Sequence, residues 1–333
     1  MSVREILVKH LSKILRLSKA TLQVLLADEN GLSIAKVSRQ SDIELDSLSI
    51  NSVSAATYNF SEEIWADLNI LHQRIAFSFF EKLCLITIRI APCILTIAHD
   101  FNSEWPINAE EVGKIIYQLK VDIDEMFNPN VEGLEDLQTF STAIRNIFYL
   151  FNMGNEIPFK SYLSDGGVSS PEIHDKIATI LDSTQNPVLS RYAIVNQDGL
   201  LIDGRDVIEG VSSSIESFSA STIVAFQKLV EESANLNAGA LLNYICISGS
   251  DSQNLYSTLA CPSGTIIFRD NMRRHEIKSE IAFVALFPLT YGMIPIFCEI
   301  RNIVHSMLEL LGEEPITRAF INGVSNLINI KYQ

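Results

Sequence analysis

One short pattern occurs twice in this chain and restricts its fold more than any other feature. Residues 22–37 read LQVLLADENGLSIAKV and residues 192–207 read YAIVNQDGLLIDGRDV. Each copy is an apolar run, a polar turn ending in glycine, and a second short strand-like run. Asn30-Gly31 and Asp198-Gly199 are strong hairpin signals. Both are expected as type I′ turns, which need positive φ at their two central residues. Gly31 and Gly199 stand 199 − 31 = 168 positions apart. On the helix expected after each hairpin, Ser54-Ala55-Ala56-Thr57 is echoed by Ser219-Ala220-Ser221-Thr222, at 219 − 54 = 165. A loop shortened by three residues would absorb the difference. The repeat predicts two copies of one small α/β domain, which suits a chain of 333 residues.

The flanking patterns agree. Val3, Ile6, Leu7, Leu11, Ile14 and Leu15 recur at helical spacing, so residues 2–18 are expected as the first helix. Strands at 21–28 and 32–38 make the hairpin, and a helix follows at 46–67. Three strands rich in Ile, Phe, Leu and Thr are expected at 74–80, 82–90 and 92–99, then a long helix ending near Phe127. Asn108 with Glu111 resembles a capping box at its start. The second half repeats the plan. It has helices near 171–183, 213–233 and 292–311, a hairpin at 188–196 and 200–206, and Ser170-Pro171 as a helix start. Its strand candidates are 241–248, 254–261, 265–269 and 280–287, one more than in the first half. Either one of these strands is bulged or a strand has been inserted. Further helices are expected at 133–151 and 314–330.

Composition excludes several classes. The net charge is −15, which argues against nucleic acid and against attraction to anionic lipid. The five cysteines include no CxxC and read as buried reduced thiols, which implies a cytosolic compartment. No signal peptide is visible, because charges interrupt the first twenty residues. Residues 281–298 carry no charge, but Pro288, Gly292 and Pro295 break the run, so no transmembrane segment is expected.

Catalytic patterns are lacking as well. The sequence has no GxxxxGK[ST], no GxGxxG after a strand and no GxSxG, and its six histidines show no metal spacing. No catalytic, metal or cofactor site is expected, and the chain is not read as an enzyme. Glu62-Glu63, Glu110-Glu111 and Glu231-Glu232 read as solvated helix charges. Arg269, Arg273 and Arg274 form the densest basic run of the second half. They read as an exposed loop, with an anion- or partner-binding role, including an arginine finger, as the alternative.

The order α-β-β-α-β-β-β-α with a glycine-turned hairpin resembles the Roadblock family. That family includes the dynein light chain of that name, the paired Ragulator subunits and a bacterial polarity regulator that acts on a small GTPase. The resemblance rests on VLLADENGLSI (24–34), AIVNQDGLLI (193–202) and the small residues of the middle helices. It implies two tandem α+β domains, each a mostly antiparallel five-stranded sheet with flanking helices. Their bounds would be 1–127 and 170–312, with a connector at 128–169 and a terminal helix at 313–333. Longin and profilin-like domains share the topology. Roadblock domains pair with middle helices side by side and sheets joined at an edge. The resemblance therefore implies an internal pseudo-dimer with Ser54, Ala55, Thr57, Ser219, Ser221 and Thr222 at the inter-domain interface, and it leaves room for further homo- or hetero-oligomers. The function implied is a non-catalytic scaffold that binds or regulates a Ras-like small GTPase, cytoplasmic or brought to membranes by its partners. The alternatives are a GTPase-activating protein acting in trans, a longin- or profilin-like trafficking or cytoskeletal adaptor, and a small-molecule sensor.

Overall fold

A computed structural model describes residues 2–67, 73–80, 82–100, 108–127, 172–183, 191–196, 198–207, 213–239, 241–249, 255–270 and 275–288, with Ile303 and Ser306. The expected helices at 133–151 and 314–330, Ser170-Pro171, Arg273 and Arg274 lie outside these residues. So does most of 292–311.

In the first half, α1 (Val3–Leu17) precedes the hairpin β1 (Thr21–Asp28) and β2 (Ser33–Ser38). Then come α2 (Ser47–Asp67), β3 (Gln73–Phe80), β4 (Leu83–Ile90), β5 (Cys93–Asp100) and α3 (Ala109–Phe127). In the second half, α4 (Glu172–Ser183) precedes β6 (Arg191–Asn196) and β7 (Leu201–Asp206). α5 (Ile215–Glu232), a short 3-10 turn, β8 (Leu241–Gly249), β9 (Leu255–Asp270) and β10 (His275–Pro288) follow.

Helix starts follow local chemistry. Ser2 and Glu5 form a reciprocal capping box on α1. Ser214 caps α5. At α3 one side of the expected box is made: the Glu111 N–H donates to Asn108 Oδ1 at 3.1 Å. The Glu111 carboxylate accepts from Lys114 at 3.0 Å instead.

The ten strands of the described residues form one antiparallel sheet, in the order β2-β1-β5-β4-β3-β8-β9-β10-β6-β7. Read inward from its two ends, the sheet has the same strand order twice, and the halves meet at β3 and β8. The register there pairs Ala76 with Cys246, Phe77 with Ile245 and Ser78 with Tyr244. Phe77 and Ile245 differ by 245 − 77 = 168, the spacing of the two hairpin glycines. Equivalent positions therefore meet at the junction, which is the mark of an isologous contact. The pairing also removes the exposed strand edge each half would otherwise present.

One core runs across the junction on the α2/α5 face of the sheet. It contains Leu25, Val53, Trp65, Ala76 and Leu85 of the first half with Phe218, Leu229, Tyr244 and Val284 of the second. α2 packs against α5 over this core. In the first half α1 lies on β1 and β2 and packs against α3.

The hairpin turns differ from the type I′ expectation. The Gly31 N–H donates to the Asp28 carbonyl and the Asp28 N–H to the Leu32 carbonyl, both at 3.0 Å. This is a three-residue loop with its last residue left-handed, φ 81° at Gly31. The Asp28 side chain explains the preference. Its Oδ1 accepts from the Asn30 and Leu32 N–H groups at 3.0 and 2.8 Å, an arrangement a two-residue turn lacks. The second hairpin repeats it with Asn196: Gly199 N–H to the Asn196 carbonyl and Asn196 N–H to the Leu200 carbonyl, both 3.0 Å. Asn196 Oδ1 accepts from Asp198 and Leu200 at 3.0 and 2.8 Å.

The surplus strand candidate of the second half is resolved as a bulge. Residues 255–261 of one candidate and 265–269 of the next belong to the single strand β9, whose register against β10 jumps between Pro262 and Gly264. Beyond the jump, 264–270 and 275–281 extend as a ribbon past the stretch of β10 that pairs with β6, Ile281–Leu286.

Candidate functional site

The two hairpins and the two middle helices are one local construction, made twice. A Cβ added at Gly31 would lie 3.1 Å from the Asn51 carbonyl oxygen and 3.3 Å from Ala55 Cβ. One added at Gly199 would lie 3.2 Å from Ala220 Cα. Ala55 and Ala220 are thus small because a turn backbone rests on them. This differs from the helix-to-helix approach expected for Ala55.

The other small residues lie near the helix pair. Ser54, Thr57, Ser219 and Thr222 are buried and Ser221 is half-buried. Leu229 of α5 shares a cavity of about 10 Å³ with Val53, Ser54 and Thr57 of α2. Thr222 Oγ1 donates back to the Phe218 carbonyl at 2.8 Å.

Sequence reading missed a polar chain that begins on the first half and ends across the junction. Gln73, 1% exposed, is its centre. The Gln73 N–H donates to Glu62 Oε2 at 2.8 Å, and its carbonyl accepts from the Tyr58 hydroxyl at 2.8 Å. Gln73 Oε1 accepts from the Tyr244 hydroxyl at 3.4 Å and from Cys246 Sγ at 3.2 Å, both on β8. Glu62 is therefore not the solvated charge its place beside Glu63 suggested. Its side chain is 18% exposed and pairs with Arg89 at 3.3 Å. The signal available was helical spacing: Tyr58 and Glu62 are four apart, so they share a face, and the Tyr58 hydroxyl oxygen lies 3.1 Å from Glu62 Oε2.

This chain opens on a cleft of about 230 Å³ lined by Glu29, Tyr58, Asn59, Glu62, Glu63, Arg89 and Pro92–Ile94. The Arg89 guanidinium lies over the Tyr58 ring, 5.5 Å from its centroid. Burial pushes the Tyr58 phenol above its ordinary range, and Glu62 adds to the shift. Burial alone would lower Arg89, but Tyr58, Glu62 and Glu29 outweigh it and raise its pKa. Burial pushes the Cys93 thiol up to about 11, helped by Asp28 and Glu29, so it stays a neutral, unreactive thiol at pH 7.

Of the expected partner loop, Arg269 is described, on β9 with Glu276 as its cross-strand partner in register. Among the described residues, no three His, Cys, Asp or Glu side chains are arranged to hold a metal ion. No helix among them is long and apolar enough to cross a membrane.

No protein-family model matches the chain, and no curated protein matches it. Solved structures do. An MglB structure with a tetrameric arrangement matches at 14% identity and TM-score 0.34, over 38% of this chain and 93% of that one. The gliding protein MglB from Thermus thermophilus matches at 14% identity and TM-score 0.33, over 39% and 94%. A Roadblock/LC7 domain from Streptomyces avermitilis matches at 11% identity and TM-score 0.30, over 36% and 95%.

Proposed function

We propose that this chain is a non-catalytic scaffold of Roadblock type whose halves, 1–127 and 170–312, act as an internal pseudo-dimer that binds or regulates a Ras-like small GTPase. The observation that carries this reading is the junction of β3 and β8, where equivalent positions meet and the two half-sheets become one. A joined sheet under a pair of middle helices is a rigid platform, and tethering favours the internal pairing by raising the effective concentration of each half for the other. Ser54, Ala55, Thr57, Ser219, Ser221 and Thr222 are proposed as the small-residue strip of that platform.

Co-elution of the purified chain with small GTPases from its own source, loaded with GDP or a non-hydrolysable GTP analogue, tests the reading. The expected result is a stoichiometric complex that prefers one nucleotide state. Retention of no GTPase in either state would overturn it. In a complex, unchanged hydrolysis rates on replacing Arg269, Arg273 and Arg274 by Ala would place those residues outside any stimulation of the GTPase.

A further inference from the structure

We propose that the cleft beside α2 receives one basic side chain, an arginine in preference to a lysine, from a protein partner. The size of the cleft comes first. At about 230 Å³ it falls below the roughly 300–1,000 Å³ of small-molecule and cofactor sites, and matches a single long side chain. Its walls come second. Pro92, Cys93 and Ile94 give an apolar side along which a methylene stem can lie, and Cys93 and Ile94 are themselves buried and fixed in β5.

Charge decides the sign of the occupant. Glu29, Glu62 and Glu63 face one guanidinium, that of Arg89, which Glu62 already engages. Glu29 acts on Arg89 only at a distance, while Glu62 is its ion pair; Glu29 and Glu63 are exposed, so their carboxylates can turn toward an incoming group. An anion would meet repulsion from them, on a chain whose net charge is −15. Arg89 shows that these surroundings stabilise a guanidinium: it bonds Glu62 and the Tyr58 hydroxyl at 3.3 Å each and stacks over the Tyr58 ring. A second planar fork can meet carboxylates with paired bonds and is less strongly hydrated than an ammonium, hence the preference for arginine.

The cleft belongs to one half. Positions 165 residues on from Tyr58 and Glu62 are Ile223 and Gln227, so the second half has neither the phenol nor the carboxylate. Each chain then carries one receptor, and a partner seated in it has one orientation on an otherwise two-fold platform. The proposal is independent of the small-GTPase reading, because its probe is an amino-acid derivative and not a GTPase.

The test is a titration of the full chain, ¹³C-labelled at isoleucine methyls, with N-acetyl-argininamide, N-acetyl-lysinamide and the neutral isostere N-acetyl-citrullinamide. Ile94→Val assigns the reporter. A saturable shift of the Ile94 signal with the arginine probe is expected, weaker with lysine and lacking with citrulline. Glu29→Gln with Glu63→Gln should weaken arginine binding at least tenfold while leaving the other isoleucine signals in place, since both residues are exposed. No saturable shift at Ile94, an equal response to citrulline, or unchanged affinity in the double variant would overturn the site. Lysine binding as tightly as arginine would overturn the stated preference.

Discussion

The two halves share a turn and differ in a hairpin. β1–β2 and β6–β7 carry the same four hydrogen bonds, with matching distances, around Asp28 in one half and Asn196 in the other. Even the register slips correspond: between Leu26 and Ala27 against β2, and between Ile194 and Val195 against β7, 168 positions on. The hairpins farther along do not match. Leu95 lies opposite Leu26, and Phe283 opposite Ile194, a spacing of 283 − 95 = 188. The second half is therefore 188 − 168 = 20 residues longer between its junction strand and its last strand, most of them in the β9–β10 ribbon. β4 and β5 pair along only eight residues each, from Leu83–Asp100 to Ile90–Cys93, whereas β9 and β10 pair from His275–Asp270 to Pro288–Tyr256. The lesson is about what the fold needs. The turn that rests on the middle helix and the strand that makes the junction are kept in both halves. The sheet's far hairpin and the polar cleft are where the halves differ.

The comparison can be broken most severely at the junction. Phe77 is fully buried and sits where equivalent positions meet. Phe77→Ala should cost about 3–5 kcal/mol, as deletion of a buried aromatic does. If the halves form one cooperative unit, hydrogen exchange should accelerate in both together and urea unfolding should remain a single transition. Faster exchange in the first half alone would show two independent domains that merely touch.

A second asymmetry is chemical. His99 on β5 is completely buried, and its ring lies 3.3 Å from Thr21 Oγ1. The position 188 residues on is Phe287. Burial pushes the His99 imidazole down to about 4, although Asp100 opposes the shift. The folded state therefore disfavours the charged ring. Between pH 6.5 and about 4 the unfolded chain binds the proton more readily, so stability is full above 6.5 and falls as pH drops through that window. The loss is at most ~3 kcal/mol. Chemical denaturation at pH 7.5 and 4.5 should show a drop that His99→Phe, which copies the second half, reduces. An equal drop in the variant would assign the acid sensitivity to other groups.

How much of this was legible beforehand depends on the range of the interactions. Hairpins, helices and their order follow from local signals: Gly31 and Gly199 in turns, Ser214 as a cap, apolar residues at helical or alternating spacing. The two-fold character of the junction was reachable through the repeat itself, because a shared offset of 168 is a statement about both halves at once. The β9 bulge was legible as one of two alternatives, and pairing with β10 decided it. The cleft was not legible. Tyr58, Glu62, Gln73 and Arg89 come from a helix and two strands, and their sequence neighbours suggest nothing of their meeting. Glu62 in particular stands beside the exposed Glu63, and adjacency hides that Glu62 is half-buried and bonded to Gln73 and Arg89. Ala55 and Ala220 were found for a partly different reason, since small residues on a helix fit a close approach by another helix as well as by a turn.

The smallest effect offers the sharpest test of equivalence. Asp28 and Asn196 occupy matching positions, and in both the work is done by one side-chain oxygen that accepts two backbone N–H bonds. An amide oxygen and a carboxylate oxygen serve this role alike, as they do in other Asx turns. Asp28→Asn should therefore change unfolding stability by no more than about 0.5 kcal/mol, the usual range for a neutral surface substitution. Asp28→Ala removes the acceptor from both N–H groups and should cost about 1 kcal/mol, the size of a lost cap. Asn196→Asp and Asn196→Ala should reproduce the same pair of values in the second half. If Asn at 28 is as costly as Ala, the charge of Asp28 matters and the two turns are alike in shape alone. If all four values fall as expected, the hairpins are interchangeable parts, and differences in partner binding between the halves must come from the cleft and the long ribbon.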